Sequence, residues 1–166
     1  MPQPTICRIH GFCGGGGCEF STATDIRIAA ENSRFGVPAA RLSVLVGYGE
    51  MRRLTNLVGP GATAYLLLSG RLIDAQEALR ICLATQVVPL EELGPYTDQL
   101  AAEMAGLAPL TQQYSKQILQ VIRRNPELRD LTPAEQDLPF AAAESEDFRE
   151  GCRAFLERRP PRFTGR

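Results

Sequence analysis

Apolar positions first gather in a short, largely β-branched run, Thr5 to Ile9, which stops at Gly11, the pattern of a buried strand feeding a loop. After the glycines at 14–17, a run of small residues predicts a helix around Cys18 to Thr24. Ile26-Arg27-Ile28-Ala29 reads as a strand and Arg34-Phe35-Gly36-Val37 as a shorter one closed by Pro38; the simplest arrangement is two brief strands flanking a turn. Leu42 to Val46 is apolar, and Gly47-Tyr48-Gly49 interrupts it before a helix from Glu50 to Val58 that ends at Gly59-Pro60-Gly61. Ala62 to Ser69 suits a further helix, Asp74-Ala75-Gln76-Glu77 opens another that runs to Cys82, and Gln86-Val87-Val88 is the last strand expected. From Leu90 onward the pattern becomes helical, at 90–107, 109–125, 133–145 behind a Thr132-Pro133-Ala134-Glu135 cap, and 146–159. An α/β chain with an all-helical C-terminal part is the result.

Length and charge narrow the function. The chain has 166 residues, enough for one well-buried core and short for two. A net charge of -1 and a pI near 5.9 give no general attraction to nucleic acid. No apolar run reaches the eighteen or so residues of a membrane span, and the N-terminus carries no targeting pattern. The five cysteines, Cys7, Cys13, Cys18, Cys82 and Cys152, are odd in number and lack C-x-x-C spacing, which argues against zinc or a disulfide framework and for a reducing cytoplasm.

Chemistry is concentrated at Gly14-Gly15-Gly16-Gly17. Consecutive glycines let backbone N–H groups approach a ligand, and the positive end of the following helix adds to them. Glu19, three residues past Gly16, places a carboxylate on the first helical turn, facing the spot those N–H groups polarise. This pairing suits proton transfer beside a carbonyl; a tight turn with a solvated glutamate is the alternative. The missing Gly-Lys-Ser/Thr excludes a phosphate-binding P-loop, and no acidic residue stands where a dinucleotide fingerprint needs one. Glycines again precede a helix at Gly47, a second candidate binding position. His10, the lone histidine, reads as structural, Asp25 and Glu31 as capping or solvated, and Cys18 as a small packing residue. Arg52 and Arg53 suit a solvated face or an anion contact. The clearest local positive patch is Arg158-Arg159-Pro160-Pro161-Arg162.

The segments Ile9-His10-Gly11-Phe12-Cys13-Gly14-Gly15-Gly16-Gly17-Cys18-Glu19, Asp25 to Ala29 and Arg34-Phe35-Gly36-Val37-Pro38 together resemble the crotonase (enoyl-CoA hydratase/isomerase) superfamily. Leu57 to Gly61, Leu68 to Ala75, Val87-Val88-Pro89 and Glu150 through Arg159 follow in the same order as that family's later landmarks. The resemblance implies a partial ββα spiral core over 1–106 and a helical, trimerising region over 107–166, in a homotrimer or dimer of trimers. It implies an acyl-CoA thioester as ligand, with no cofactor beyond the coenzyme A of the substrate. It also implies Gly16 as an oxyanion donor and Glu19 as the first catalytic glutamate; Gly15 and Gly47 are candidate substrate-binding positions, and Arg158, Arg159 and Arg162 either meet the CoA phosphates or form a solvated basic C-terminus.

Two departures qualify this. The family's second glutamate, directly after Phe-Gly-x-Pro, is Ala39 here, so hydration by paired carboxylates is not expected; Glu50 is a candidate substitute, although an exposed N-terminal helical glutamate is the plainer description. The match begins at the strand before the glycine loop, so an N-terminally truncated member is expected, with the strands from Thr5 and Ile26 lacking neighbours. The alternative to an enzyme is a non-catalytic acyl-CoA-binding or assembly subunit.

Overall fold

The β-branched run forms β1 (Ile6–Ile9), and a turn at Gly11 leads into β2 (Phe12–Gly14) and then α1 (Gly16–Ser21). β3 (Ile26–Ala30) and β4 (Arg34–Gly36) follow, then the long helix α2 (Tyr48–Ser69), β5 (Ile73–Asp74), α3 (Ala75–Arg80) and β6 (Gln86–Val88). This is the computed structural model of the chain, and it describes residues 1–166. It has two compact units, Thr5–Gln99 and Met1–Pro4 with Leu100–Arg166; the division falls within α4 (Leu93–Ala105).

In the first unit the strands build two three-stranded sheets, ordered β1-β3-β6 and β2-β4-β5. All pairs are parallel except β4 with β5. Successive strands therefore divide between the sheets: β3 and β4 flank a turn, as the sequence predicts, and join different sheets. The strand from Ile26 is not short of neighbours: β3 is central, while β1 lies at its sheet's edge. Two strands, β2 and β5, escaped the sequence reading because they are three and two residues long and lie among glycines or at a helix cap.

Asp25, expected to be capping or solvated, instead holds the β1–β3 register: its Oδ2 accepts from both the N–H and the hydroxyl of Thr5, each at 2.7 Å. Arg27, 5% exposed, directs Nε to the Leu83 carbonyl at 2.9 Å and a terminal nitrogen to the Thr24 carbonyl at 2.7 Å. A buried cation is tolerated only with such acceptors. The core between the sheets and α2 centres on fully buried Phe35 of β4, with Ile9, Cys18, Leu54 and Leu66 around it. Burying Phe35 is worth about 1.5–3 kcal/mol.

α2 is broken where the sequence predicts. Gly59 has φ 80 and ψ 165, outside helical geometry, and Pro60 restarts the helix. At α3 the Asp74 carboxylate accepts the Glu77 N–H at 2.8 Å, the expected cap.

The second unit is helical, with α5 (Pro109–Arg124), the short α6 (Pro133–Asp137) and α7 (Glu146–Glu157). The helix expected over 133–145 stops early, passing into a 3-10 turn at Leu138–Phe140, because Pro139 has no N–H to give and restricts the residue before it. Lys116 Nζ donates to the Gln3 carbonyl at 2.8 Å, tying the first residues to α5. No helix is long and apolar enough to cross a membrane.

Candidate functional site

Gly15 is where the glycine loop needs a glycine. Its φ of 54 with ψ of -126 is costly for any residue with a Cβ, and it turns the chain from β2 into α1. The Gly15 N–H donates to the Gly36 carbonyl at 2.9 Å, so β4 holds the loop through a main-chain bond.

The first bond inside α1 runs from the Glu19 N–H to the Gly15 carbonyl at 3.0 Å. The N–H groups of Gly16 and Gly17 precede it and have no intrahelical acceptor, and no side chain caps them. Both glycines are exposed, and a Cβ on either would meet nothing within 4 Å. Packing therefore does not demand glycine at 16 and 17; their bareness leaves room for a ligand to come within hydrogen-bonding distance.

The Glu19 side chain, half-buried on the same turn, makes no hydrogen bond or ion pair within the chain, so its carboxylate is available. The β2–β4 register, Gly14 opposite Gly36, carries the chain from β4 past the loop. Ala39 follows three residues later, at the start of a 3-10 turn, and packs its methyl against the core. No carboxylate stands there.

Phe12 is a residue that the sequence reading passed over. A Cβ on Gly14 would lie 2.2 Å from Phe12 Cζ, so the ring rests on that glycine and excludes any larger residue. Phe12 is 67% exposed and Phe20, on α1, is 69% exposed. Two aromatic side chains thus flank the loop without being used in the core. Their signal in the sequence was a bulky residue on each side of a run of small ones.

Gly47 forms the N-cap of α2. A Cβ there would meet Glu50 Oε2 at 2.5 Å, because the Glu50 carboxylate folds back over the helix end. Its own backbone N–H, then Arg53 at 2.8 Å, hold Glu50 below the usual carboxylate range, which makes it a poor proton donor. Arg53 thereby takes an intramolecular partner. His10 is exposed at the end of β1.

Arg158 and Arg159 belong to the helical unit. Arg158 is the exposed left-handed cap of α7, with φ 53. Arg159 is engaged: its two terminal nitrogens reach Glu150 at 2.6 and 3.0 Å, and Nε reaches Glu157 at 2.6 Å. This fork, followed by the Arg162 N–H, brings Glu150 down to about 2. No three His, Cys, Asp or Glu side chains converge as a metal site.

The chain is similar to known proteins over its whole length. The chain is 37% identical over 166 residues to 2,3-dehydroadipyl-CoA hydratase of Escherichia coli, covering 99% of this chain and 64% of that protein. It is 36% identical to crotonyl-CoA hydratase of Syntrophomonas wolfei, covering 100% and 64%. The chain therefore spans about 64% of the length of these curated relatives. A crystal structure of an enoyl-CoA hydratase/carnithine racemase from Magnetospirillum magneticum superimposes with a TM-score of 0.89 at 34% identity, over 99% of this chain and 61% of that one. Since residues 1–166 also match the enoyl-CoA hydratase/isomerase family from end to end, the chain belongs to that family and has its crotonase α/β fold.

Proposed function

We propose that this chain receives an acyl-CoA thioester with its carbonyl oxygen at the Gly16 N–H, and that Glu19 is the single acid/base group beside it. The observation that carries this is the pairing of an uncommitted N–H at Gly16 with an uncommitted carboxylate at Glu19 on one helical turn. A donor at a developing oxyanion is worth about 2.7–4 kcal/mol of barrier in other enzymes. With negative charge stabilised on the oxygen, the adjacent carbon gives up or accepts a proton, and Glu19 is the group to carry it. Both curated relatives described above are named as hydratases of CoA thioesters, which supports the ligand class.

Ala39 supports a restricted chemistry. Paired-carboxylate hydration needs one group to activate water and another to deliver a proton, and a methyl does neither. The same observation favours a second reading, a non-catalytic acyl-CoA-binding or assembly subunit. Crotonyl-CoA binding by calorimetry, combined with a hydration assay, separates the two. The expected result is binding with weak hydration that Glu19→Gln abolishes. Binding with no hydration supports the second reading, and turnover that survives Glu19→Gln overturns the site.

We also propose a homotrimer or dimer of trimers, supported by the exposed Leu119 and Ile122 of α5 and Phe155 and Leu156 of α7. Arg158 remains available to CoA phosphates, whereas Arg159 would have to leave Glu150 to meet them. Five free thiols support a reducing cytoplasm as the compartment.

A further inference from the structure

We propose that the cleft between α7 and the C-terminal tail is a binding site for a polyphosphate group, held by the guanidinium groups of Arg149, Arg153 and Arg162. The cleft has a volume of about 990 Å³ and belongs wholly to the helical unit, sharing no residue with the glycine loop. One wall is a single face of α7, where Glu146, Arg149, Glu150 and Arg153 recur at helical spacing. The other wall is the tail from Arg159 to Thr164.

Hydrogen bonds inside the unit fix both walls. The Asp147 carboxylate accepts the Thr164 and Gly165 N–H groups at 2.6 and 2.8 Å, and the Asp147 N–H donates to the Arg166 carbonyl at 3.2 Å. Glu150 Oε1 accepts the Arg162 N–H at 2.9 Å and one terminal nitrogen of Arg159 at 2.6 Å, while Oε2 accepts the other at 3.0 Å. Both of these carboxylates are therefore committed, and Arg159 with them. A site assembled in advance spends little of its binding energy on ordering its own walls.

What the walls leave unpaired is three cations against one anion. The side chains of Arg149, Arg153 and Arg162 make no hydrogen bond or ion pair within the chain, and neither does that of Glu146. Arg149 and Arg153 stand one helical turn apart, which sets their Cβ atoms roughly 5–6 Å from each other. At that spacing two planar forks grip neighbouring phosphates of one short chain, each through paired N–H groups, and Arg162 adds a third charge from the tail. A monovalent anion occupies only one fork. No aromatic ring lines the cleft, whose apolar surface comes from Pro160 and Pro161, so nothing there stacks a nucleobase and the phosphates are the part recognised.

The test is calorimetry of the full chain with inorganic tripolyphosphate, citrate, ATP and coenzyme A as separate probes. Tripolyphosphate is expected to bind once per chain, and its affinity to fall by about tenfold or more when Arg149→Ala and Arg153→Ala are combined. Both positions are exposed, so circular dichroism is expected to stay unchanged. Removing the opposing carboxylate as Glu146→Gln is expected to tighten binding, and Arg123→Ala, outside the cleft, to leave it unaltered. ATP is expected to bind no more tightly than tripolyphosphate.

Absence of saturable tripolyphosphate binding overturns the proposal, and so does an equal loss in Arg123→Ala, the sign of a general attraction to surface cations. Citrate binding as tightly as tripolyphosphate overturns the assignment to phosphate. A coenzyme A affinity that falls in the doubly substituted chain as far as that for tripolyphosphate gives the cleft to the phosphates of the thioester and overturns a separate site. The glycine-loop reading is judged by crotonyl-CoA hydration and Glu19→Gln, so either reading can fail while the other stands.

Discussion

The two units of this chain solve the problem of burial differently. In Thr5–Gln99, short strands from two sheets face one another, and Phe35, Cys18 and Leu66 lose all contact with water. In the helical unit α5 has no buried residue, and α7 buries only Asp147 and Ala154. Apolar side chains are present there but face outward, among them Leu119 at 52% and Phe155 at 81% exposure. Order in the second unit comes instead from polar ties: the Asp147 carboxylate accepts the N–H groups of Thr164 and Gly165 at 2.6 and 2.8 Å, and Glu150 holds Arg159 and the Arg162 N–H. The candidate chemistry sits on the unit with the dense core, where a loop can be held still.

The sharpest challenge to this contrast is a pair of truncations. Phe35→Ala should cost about 3–5 kcal/mol in chemical denaturation because it empties the centre of a packed core. Leu119→Ala, at an exposed position, should stay within about 0.5 kcal/mol. Similar losses at the two positions would break the comparison.

A smaller effect is expected at Gly15. Gly15→Ala forces a Cβ into a left-handed conformation at a cost of about 1–2 kcal/mol, with lower crotonyl-CoA affinity as the N–H groups shift. Unchanged stability would mean that the loop is less tightly held than its bond to Gly36 implies.

The smallest effect concerns the tail. Glu150 titrates near 2 in the folded chain and near its ordinary 4.5 when unfolded, so its contribution is fully present above about 4.5 and is lost as pH falls toward 2. Protection of the Arg162 amide, taken relative to its intrinsic exchange rate at each pH, should fall as pH drops through that window in the native protein and be low throughout, without a step, in Glu150→Gln. A step that survives the substitution would assign the transition to another carboxylate.

What could be read from the sequence was what depends on neighbours along the chain. The Gly59-Pro60 break, the Asp74 cap and the loop joined to Glu19 are all local, and periodicity or turn chemistry exposes them. Pairing was less accessible: parallel partners such as β2 and β4 lie far apart in sequence, and no alternation of three residues announces which strand they join. The same holds for Asp25, whose partner is twenty residues away, and for Arg159, whose charge is absorbed by Glu150 nine residues earlier. Composition shows that charges exist, whereas geometry decides which of them are already spent.

The bond from Gly15 to the Gly36 carbonyl joins two main-chain groups. Because no side chain takes part, ordinary drift of the neighbouring sequence leaves it untouched. A lineage can therefore exchange the residue at position 39 without dislodging the loop, and what is inherited is a scaffold that outlasts the particular chemistry performed on it.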